Sequence, residues 1–530
     1  MKKKMLCMLM ALTLTVSALA GCGTGKESTD SSQGKGEKAS STSETSNSSE
    51  AGELKYYGQS AGYGLDPGNQ YNGWYAVEYG VVETLFKLDD NFEIQPWIAD
   101  SYELSDDHLT WTVKLKEGIT FQNGKELDAE AVKKSLQHTL DTNDRAPSDL
   151  AIESMEADGL TIKFTTKSPN PAFINSLTEP YSAIIDMESG KDFDKEPIGT
   201  GPYMVKEVVP DEKTEVVAYA DYWGGAPKLS KATDLAFKDN DAVVMAMQSG
   251  EIDAAYAMSY DGQELFANDD NYAIDKSTTS RIYMLYYNMD NENLSDAKVR
   301  KALNMLIDKE SYGSVVMNGN GEPATGMFPE NTEFGKDLKA TEFDVDGAKK
   351  LLEEAGYSDS DNDGFLDKDG KKLSFRIVTY SSRAELPLIA DAMQSQFKEV
   401  GIDSDIKITD DISTALKAGD YDICPYSFTT LPTGDPGSLL NSVFAKDGSN
   451  NFAKYNNETV NGLIEQINNE FDADKRNELV REAMQTILDE DAFCFIEHLK
   501  MSVVTKSTVE NLNIHPLDFY QLDANVSISK

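Results

Sequence analysis

A chain of 530 residues with 40% apolar composition is long enough to bury more than one core, so it divides into more than one lobe and is not disordered overall. Its formal net charge of -42, from 91 acidic against 49 basic residues, excludes nucleic-acid binding, which needs clustered Lys and Arg to displace counterions from phosphates. Its four His and four Cys show no ligand spacing for a bare soft metal, and no cofactor is expected.

Lys2, Lys3 and Lys4 open the chain, and Met5 to Ala20 is an apolar segment too short for a comfortable membrane span, so residues 1–21 read as a secretory signal. Leu19-Ala20-Gly21-Cys22 resembles a lipobox. That resemblance implies cleavage before Cys22, a diacylglycerol on its thiol and an extracytoplasmic protein held on the cell membrane, where buried acyl chains contribute ~0.8 kcal/mol per CH₂. Residues 22–53 are rich in Ser, Gly, Thr, Lys and Glu with almost no large apolar side chain, and read as a tether whose r.m.s. span is about 30 Å.

Leu54 to Tyr57 is the first expected strand. Gly58-Gln59-Ser60-Ala61-Gly62 matches the G-x-S-x-G pattern of a hydrolase nucleophile, but Tyr63-Gly64-Leu65-Asp66-Pro67-Gly68 forbids the helix that such an elbow needs. Tyr75 to Leu88 is expected to be helical. Leu109, Trp111, Val113 and Leu115 then alternate with polar residues as a strand with one buried face, with Tyr102 and Leu104 on its hairpin partner. Asn123-Gly124 favours a tight turn. Asp128 is an N-cap, Leu127 and Val132 occupy its staple positions, and Val132, Leu136 and Leu140 recur on one helix face. Leu160, Ile162 and Phe164 form another alternating strand. Pro197-Ile198-Gly199-Thr200-Gly201-Pro202-Tyr203 reads as a tight turn using positive φ at Gly. Asp241 is expected to cap a helix ending before Gly250, and Ala254 to Ala257 is a strand.

Ile282 to Asn288 is a continuous apolar run, with the first crossing between lobes just before it. Beyond it come helices at Val299 to Ile307, Asp346 to Gly356, Arg383 to Gly401 and Ile412 to Ala418, and strands at Leu373 to Val378, Ile402 to Ile408 and Tyr421 to Phe428. Such alternation argues for a doubly wound parallel sheet. Two helices, Asn457 to Glu470 and Ala473 to Asp489, lead to a strand from Phe493 to Thr505. Asp359, Asp361, Asp363 and Gly364 imitate the start of a calcium loop, yet its twelfth position is Gly370 where a bidentate Glu is needed. Cys424 and Cys494 lie on apolar runs, and an exported location permits a disulfide between them, with two buried thiols as the preferred reading.

Several stretches resemble one family in order: Pro96-Trp97-Ile98-Ala99-Asp100-Ser101, Trp111 to Gly118, Phe121-Gln122-Asn123-Gly124-Lys125, Pro197 to Tyr203, Asp221-Tyr222-Trp223-Gly224-Gly225 and Val299-Arg300-Lys301-Ala302-Leu303. The chain thereby resembles the family 5 extracellular solute-binding proteins, the peptide- and nickel-type receptors of ABC importers. The resemblance implies an α/β chain of the type II periplasmic-binding-protein fold, two lobes around a hinge with an extra subdomain on the first. Its implied division is residues 54–280 for lobe I, with the subdomain at about 91–195, residues 281–492 for lobe II, and residues 493–530 returning to lobe I.

The resemblance also implies no enzymatic activity, a small solute as ligand, an ABC permease as partner and a monomer. Peptide-binding relatives place an acid shortly before an Asp-Pro pair to hold the peptide's amine; here the pair is Asp435-Pro436 and that position is Pro432. Nickel-type relatives hold a metal chelate with arginine and aromatic residues, and Leu140-Asp141-Thr142-Asn143-Asp144-Arg145 resembles the stretch carrying one such arginine. Tyr75, Arg145, Tyr181, Asn288 and Thr430 are therefore the candidate ligand residues, although an ion pair of Arg145 with Asp141 or Asp144 is an equal reading. A metal chelate is preferred over a short peptide, and a secreted hydrolase using Ser60 is the remaining alternative.

Overall fold

The computed structural model describes residues 52–517 and 519–529. The signal segment, Cys22 and nearly all of the tether lie outside the described residues. The architecture is α/β, built on one eleven-stranded sheet. Its middle is a long antiparallel pair, Tyr272–Tyr287 against Phe493–Lys506, with Tyr272 opposite Lys506 and Tyr286 opposite Phe493. On one side follow Ile423–Thr429, Ser374–Thr379 and Asp403–Ile408; on the other, Ala254–Tyr256, Gly52–Tyr57, Leu229–Leu235, Lys213–Ala218 and Tyr203–Val209; the eleventh strand, Gly321–Pro323, pairs with Phe493–Lys506 off this path.

The apolar run from Ile282 to Tyr287 is continuous because both faces of that strand are covered. Ile282, Met284 and Tyr286 join one core and Tyr283, Leu285 and Tyr287 another. Parallel pairing on this side is confined to Ser374–Thr379 with its two neighbours, whereas Ile423–Thr429 meets Tyr272–Tyr287 antiparallel. The doubly wound parallel sheet expected from this alternation is thus parallel for these three strands and becomes mixed where the long strand, entering from the other half of the sheet, joins it antiparallel.

A separate four-stranded antiparallel sheet, in the order Ala99–Leu104, Thr110–Leu115, Thr161–Thr166 and Ile152–Asp158, carries the helix Ala129–Thr142 on its apolar face. Asp128 caps that helix by accepting from Ala131 N at 2.8 Å, as its position in the sequence predicts.

Three separate sequence stretches meet at one buried acid. Glu83 accepts from Tyr222 Oη at 2.6 Å, Thr200 Oγ1 at 2.7 Å and Trp223 Nε1 at 2.9 Å. Beside it Gln122 Nε2 donates to the carbonyls of Val81, Gly201 and Tyr203, and its Oε1 accepts from Gly199 N. These contacts correct two expectations. The helix is Asn72–Glu78 and stops at Gly80, whose φ is +62°, so Glu83 stands in extended chain and Phe86–Leu88 is a strand. Gly199 and Gly201 have no positive φ; they are needed because a Cβ on either would overlap the carbonyl oxygens of Val81 and Gly80.

Two helix caps also lie elsewhere than expected. Asp239 caps Asn240–Ser249 through Ala242 N, and Asp344 caps Val345–Glu354 through Gly347 N. In both cases two acids stand two residues apart, and the one in extended conformation takes the cap while the other sits in the first turn.

Candidate functional site

The helix Ala129–Thr142 ends at Asn143, whose Oδ1 accepts from Arg145 N at 3.0 Å and Ala146 N at 3.2 Å. This turn sends the Arg145 side chain toward the short segment Pro180–Ser182. Its guanidinium pairs with Glu179 Oε1 at 3.2 Å and lies between two rings, 4.6 Å from the centroid of Tyr71 and 5.2 Å from that of Tyr181. Neither Asp141 nor Asp144 takes the ion pair; Asp141 accepts instead from Gln137 Nε2.

Glu179 is buried and also faces Trp74 Nε1 at 3.4 Å. Burial pushes its carboxyl above the ordinary carboxylate range, opposed first by the charge of Arg145. Tyr181 is buried with its hydroxyl 3.4 Å from Asp149 Oδ2; burial, then the negative charges of Glu179 and Asp149, raise its pKa. The Arg145 side chain keeps 37% of its surface exposed, so its charge is partly screened on one side and held by a buried acid on the other.

A cavity of about 380 Å³ opens beside this cluster, with Pro432, Thr433 and Asp435 on its far wall. That wall is set by Gly434, whose φ is +72°, and by Asp435, which pairs with Arg476 and accepts from Ser438 N at 3.2 Å at the start of Gly437–Val443. Asn175 Nδ2 spans the two walls, donating to Thr433 O at 2.9 Å. Arg145 and Arg476 thus hold Glu179 and Asp435 on the two walls, whereas Asp149, also on the lining, accepts from the hydroxyls of Ser148 at 3.2 Å and Tyr181 at 3.4 Å.

The structure brings Arg145 and Tyr181 together. Tyr75, on Asn72–Glu78, is half-buried, stacks on Tyr63 at 4.7 Å and is not part of the cavity lining. Thr430 is fully buried beneath the far wall, its hydroxyl donating to Ser280 O at 2.9 Å. Asn288 lies apart from the cavity: its Nδ2 donates to Tyr421 O at 2.9 Å and ties the end of the long strand to the turn after Ile412–Ala418. Glu179 and Arg476 are the residues that sequence reasoning did not single out. Glu179 carried a faint signal, an acid beside the Pro180-Tyr181 pair, whereas Arg476 looked like one more cation on a solvated helix.

The other suspected groups are engaged elsewhere. Ser60 Oγ donates to Glu78, and no helix follows it. His138 Nε2 lies 2.9 Å and 3.0 Å from the oxygens of Asp66, whose hydrogen bond raises the imidazole pKa. His108 packs on Phe471, and burial lowers His498 and His515 to about 4. Cys424 and Cys494 are free, buried thiols. Asp359, Asp361 and Asp363 bring carboxylate oxygens within 4.8 Å of one another, but they are exposed and Lys372 already pairs with Asp363 at 2.8 Å. No helix among the described residues is long and apolar enough to cross a membrane.

Residues 93–451 match the family described as bacterial extracellular solute-binding proteins, family 5. The chain is 31% identical over 455 residues to the nickel-binding protein NikA of Staphylococcus aureus, covering 86% of this chain and 90% of that protein. The crystal structure of that protein with Ni(L-His)2 has a TM-score of 0.72 at 30% identity, covering 90% of this chain and 100% of the other. A nickel ABC transporter structure from Bacillus halodurans has a TM-score of 0.82 at 34% identity, with 90% and 100% covered. The glutathione-binding protein GsiB of Salmonella typhimurium is 27% identical over 434 residues, covering 78% of this chain and 82% of that protein.

Proposed function

The chain belongs to the bacterial extracellular solute-binding proteins of family 5, and from that premise we propose that it captures a small metal chelate of the nickel type beside Arg145 and presents it to an ABC permease. The observation that carries this reading is the Arg145 guanidinium, clamped between Tyr71 and Tyr181 and still open on the side of the cavity. A planar, always-charged fork in that setting suits a carboxylate of a chelating ligand. The described lining of the cavity holds no imidazole or thiolate, so a soft metal would arrive with its ligands already attached.

A short peptide is the second reading, favoured by the likeness to the glutathione-binding GsiB. Against it, Pro432 stands where the resemblance places the amine-binding acid, and Glu179 and Asp435 are already paired with Arg145 and Arg476. The lobe division at residues 54–280, 281–492 and 493–530 belongs to this reading, with the long pair Tyr272–Tyr287 and Phe493–Lys506 as its hinge; the separate four-stranded sheet supports a subdomain at about 91–195. So do a lipid anchor at Cys22 and a monomeric state.

The test is calorimetric titration of the protein with nickel, nickel with L-histidine, nickel with citrate, and glutathione. Binding of a nickel chelate, weakened at least about tenfold by Arg145→Ala, is the expected result. Binding of glutathione with no response to either chelate would sink it.

A further inference from the structure

Two aromatic side chains leave the part of the chain that carries them and pack into a core belonging to the other. Tyr260 follows the strand Ala254–Tyr256, and its neighbours Met258 and Phe266 sit in a small core with Val243 and Val504. Its own ring instead packs against the core of the opposite lobe, which holds Tyr283, Leu386 and Ile389. Ala257 makes this reach possible. At φ +46° it is an L residue in the left-handed region, fixed there as its N–H donates to Ser502 O at 3.0 Å, and it turns the chain out of the strand. Ser259 N donates to Asn240 Oδ1 at 3.0 Å, so the base of the segment stays tied to the first lobe.

The tip of the segment is bonded across. Glu385, at the start of the helix Glu385–Glu399, accepts one hydroxyl at 2.9 Å from Tyr283 of its own lobe and one at 2.9 Å from Tyr260. Four residues on, Glu264 Oε1 accepts from Asn318 Nδ2 at 2.9 Å, a second bond between the same two parts. Tyr260 is thus held both by its packed ring and by a hydrogen bond to a carboxylate.

Phe471 makes the reverse crossing. It stands between the helices Glu458–Ile467 and Ala473–Asp489 of the second lobe, yet packs against the core of the four-stranded subdomain sheet. The ring of His108, in the hairpin turn between Ala99–Leu104 and Thr110–Leu115, lies 4.1 Å from it, centroid to centroid. Every one of these contacts is made by the chain itself, and each breaks when the lobes part.

We propose, resting on the two-lobe reading of solute capture, that Tyr260 and Phe471 are reciprocal clasps that hold the lobes closed and that both withdraw before a solute enters or leaves. An equilibrium between open and closed forms responds to contacts that differ between the two forms, and these do. The ligand-free protein therefore rests closed, and the clasps set how fast the cleft opens rather than which solute fits it.

The test is small-angle X-ray scattering of the ligand-free full-length protein and of its Tyr260→Ala/Phe471→Ala variant. The variant is expected to show a radius of gyration larger by roughly 2–5%, with unchanged far-UV circular dichroism. Should its circular dichroism fall, Tyr260→Phe/Phe471→Leu, which keeps both positions apolar, is read in the same way. A folded variant with the radius of gyration of the parent overturns the clasps. In stopped-flow measurements a nickel–histidine chelate, chased with excess EDTA, should leave Tyr260→Phe at least about tenfold faster than the parent. Release at the parental rate overturns the gating by Tyr260. Failure of the chelate to bind the parent sinks the solute reading instead, and the scattering result still decides the clasps.

Discussion

Trp223 donates its indole N–H to Glu83 at 2.9 Å, joining two residues that stand 140 positions apart. With Tyr222 and Thr200 on the same carboxylate, a fully buried acid gains three donors and carries no unmet demand.

Glu83→Ala strands all three donors in a dry interior. Urea unfolding is expected to show a loss of about 3–5 kcal/mol, against about 1–2 kcal/mol for Trp223→Phe, which removes one donor and leaves the acid satisfied by two. Equal losses in the two variants would mean that the indole packing, not the carboxylate, holds the stretches together.

Glu497 tests the opposite case. It is fully buried on Phe493–Lys506 against Gly313 and Gly321, with no side-chain partner, and burial raises its carboxyl from 4.5 to about 8. A raised acid binds its proton more tightly in the folded state, so stability is greatest below the unfolded pKa and falls as pH rises toward the folded one. Glu497→Gln, which stays neutral, should match the parent within about 1 kcal/mol at pH 5 and exceed it by a few kcal/mol at pH 8.5. Parallel stability-pH curves would refute the assignment.

Arg145→Ala has a stability signature separate from ligand binding. Glu179 then keeps only Trp74 as a donor in a buried setting, and its already raised carboxyl rises further. By the same sign rule the variant's deficit grows with pH above the ordinary carboxylate range, to about 2–3 kcal/mol at pH 8 and less at pH 5. Chemical unfolding at the two pH values reads it directly.

Asn175 and Thr433 span the walls of the Arg145 cavity. Asn175→Ala leaves a carbonyl that water can reach, so stability should change by less than about 1 kcal/mol, while affinity for the bound chelate falls roughly two- to fivefold if that contact favours the closed arrangement. An affinity equal to that of the parent would show the contact to be independent of ligand.

Cys424 and Cys494 should resist a water-soluble disulfide reagent in the native protein and react on unfolding, because burial raises both thiols, Cys494 to about 11. Reaction within seconds under native conditions would contradict their burial.

Much of the local structure was legible in the residues. The alternation Trp111, Val113, Leu115, the cap at Asp128 and the turn at Gly124 follow from side-chain period and φ freedom, which act over a few positions. The helix from Tyr75 failed at its second half because Val81 to Leu85 are claimed by contacts with Gly199, Gly201 and Ile184, more than 90 positions away. Arg145 and Tyr181 were reached through resemblance, but their grouping was not.

By itself the sequence determined most of the helices and strands, which segments carry the family's wording, and that the chain has an acidic surface; these are properties of neighbours and of composition. Which charge meets which was decided only by the tertiary structure. Arg145 passes over Asp141 and Asp144 for Glu179, and Asp435 takes Arg476, because burial makes a carboxylate seek a cation far more strongly than water-exposed neighbours do, and burial exists only once distant segments have packed.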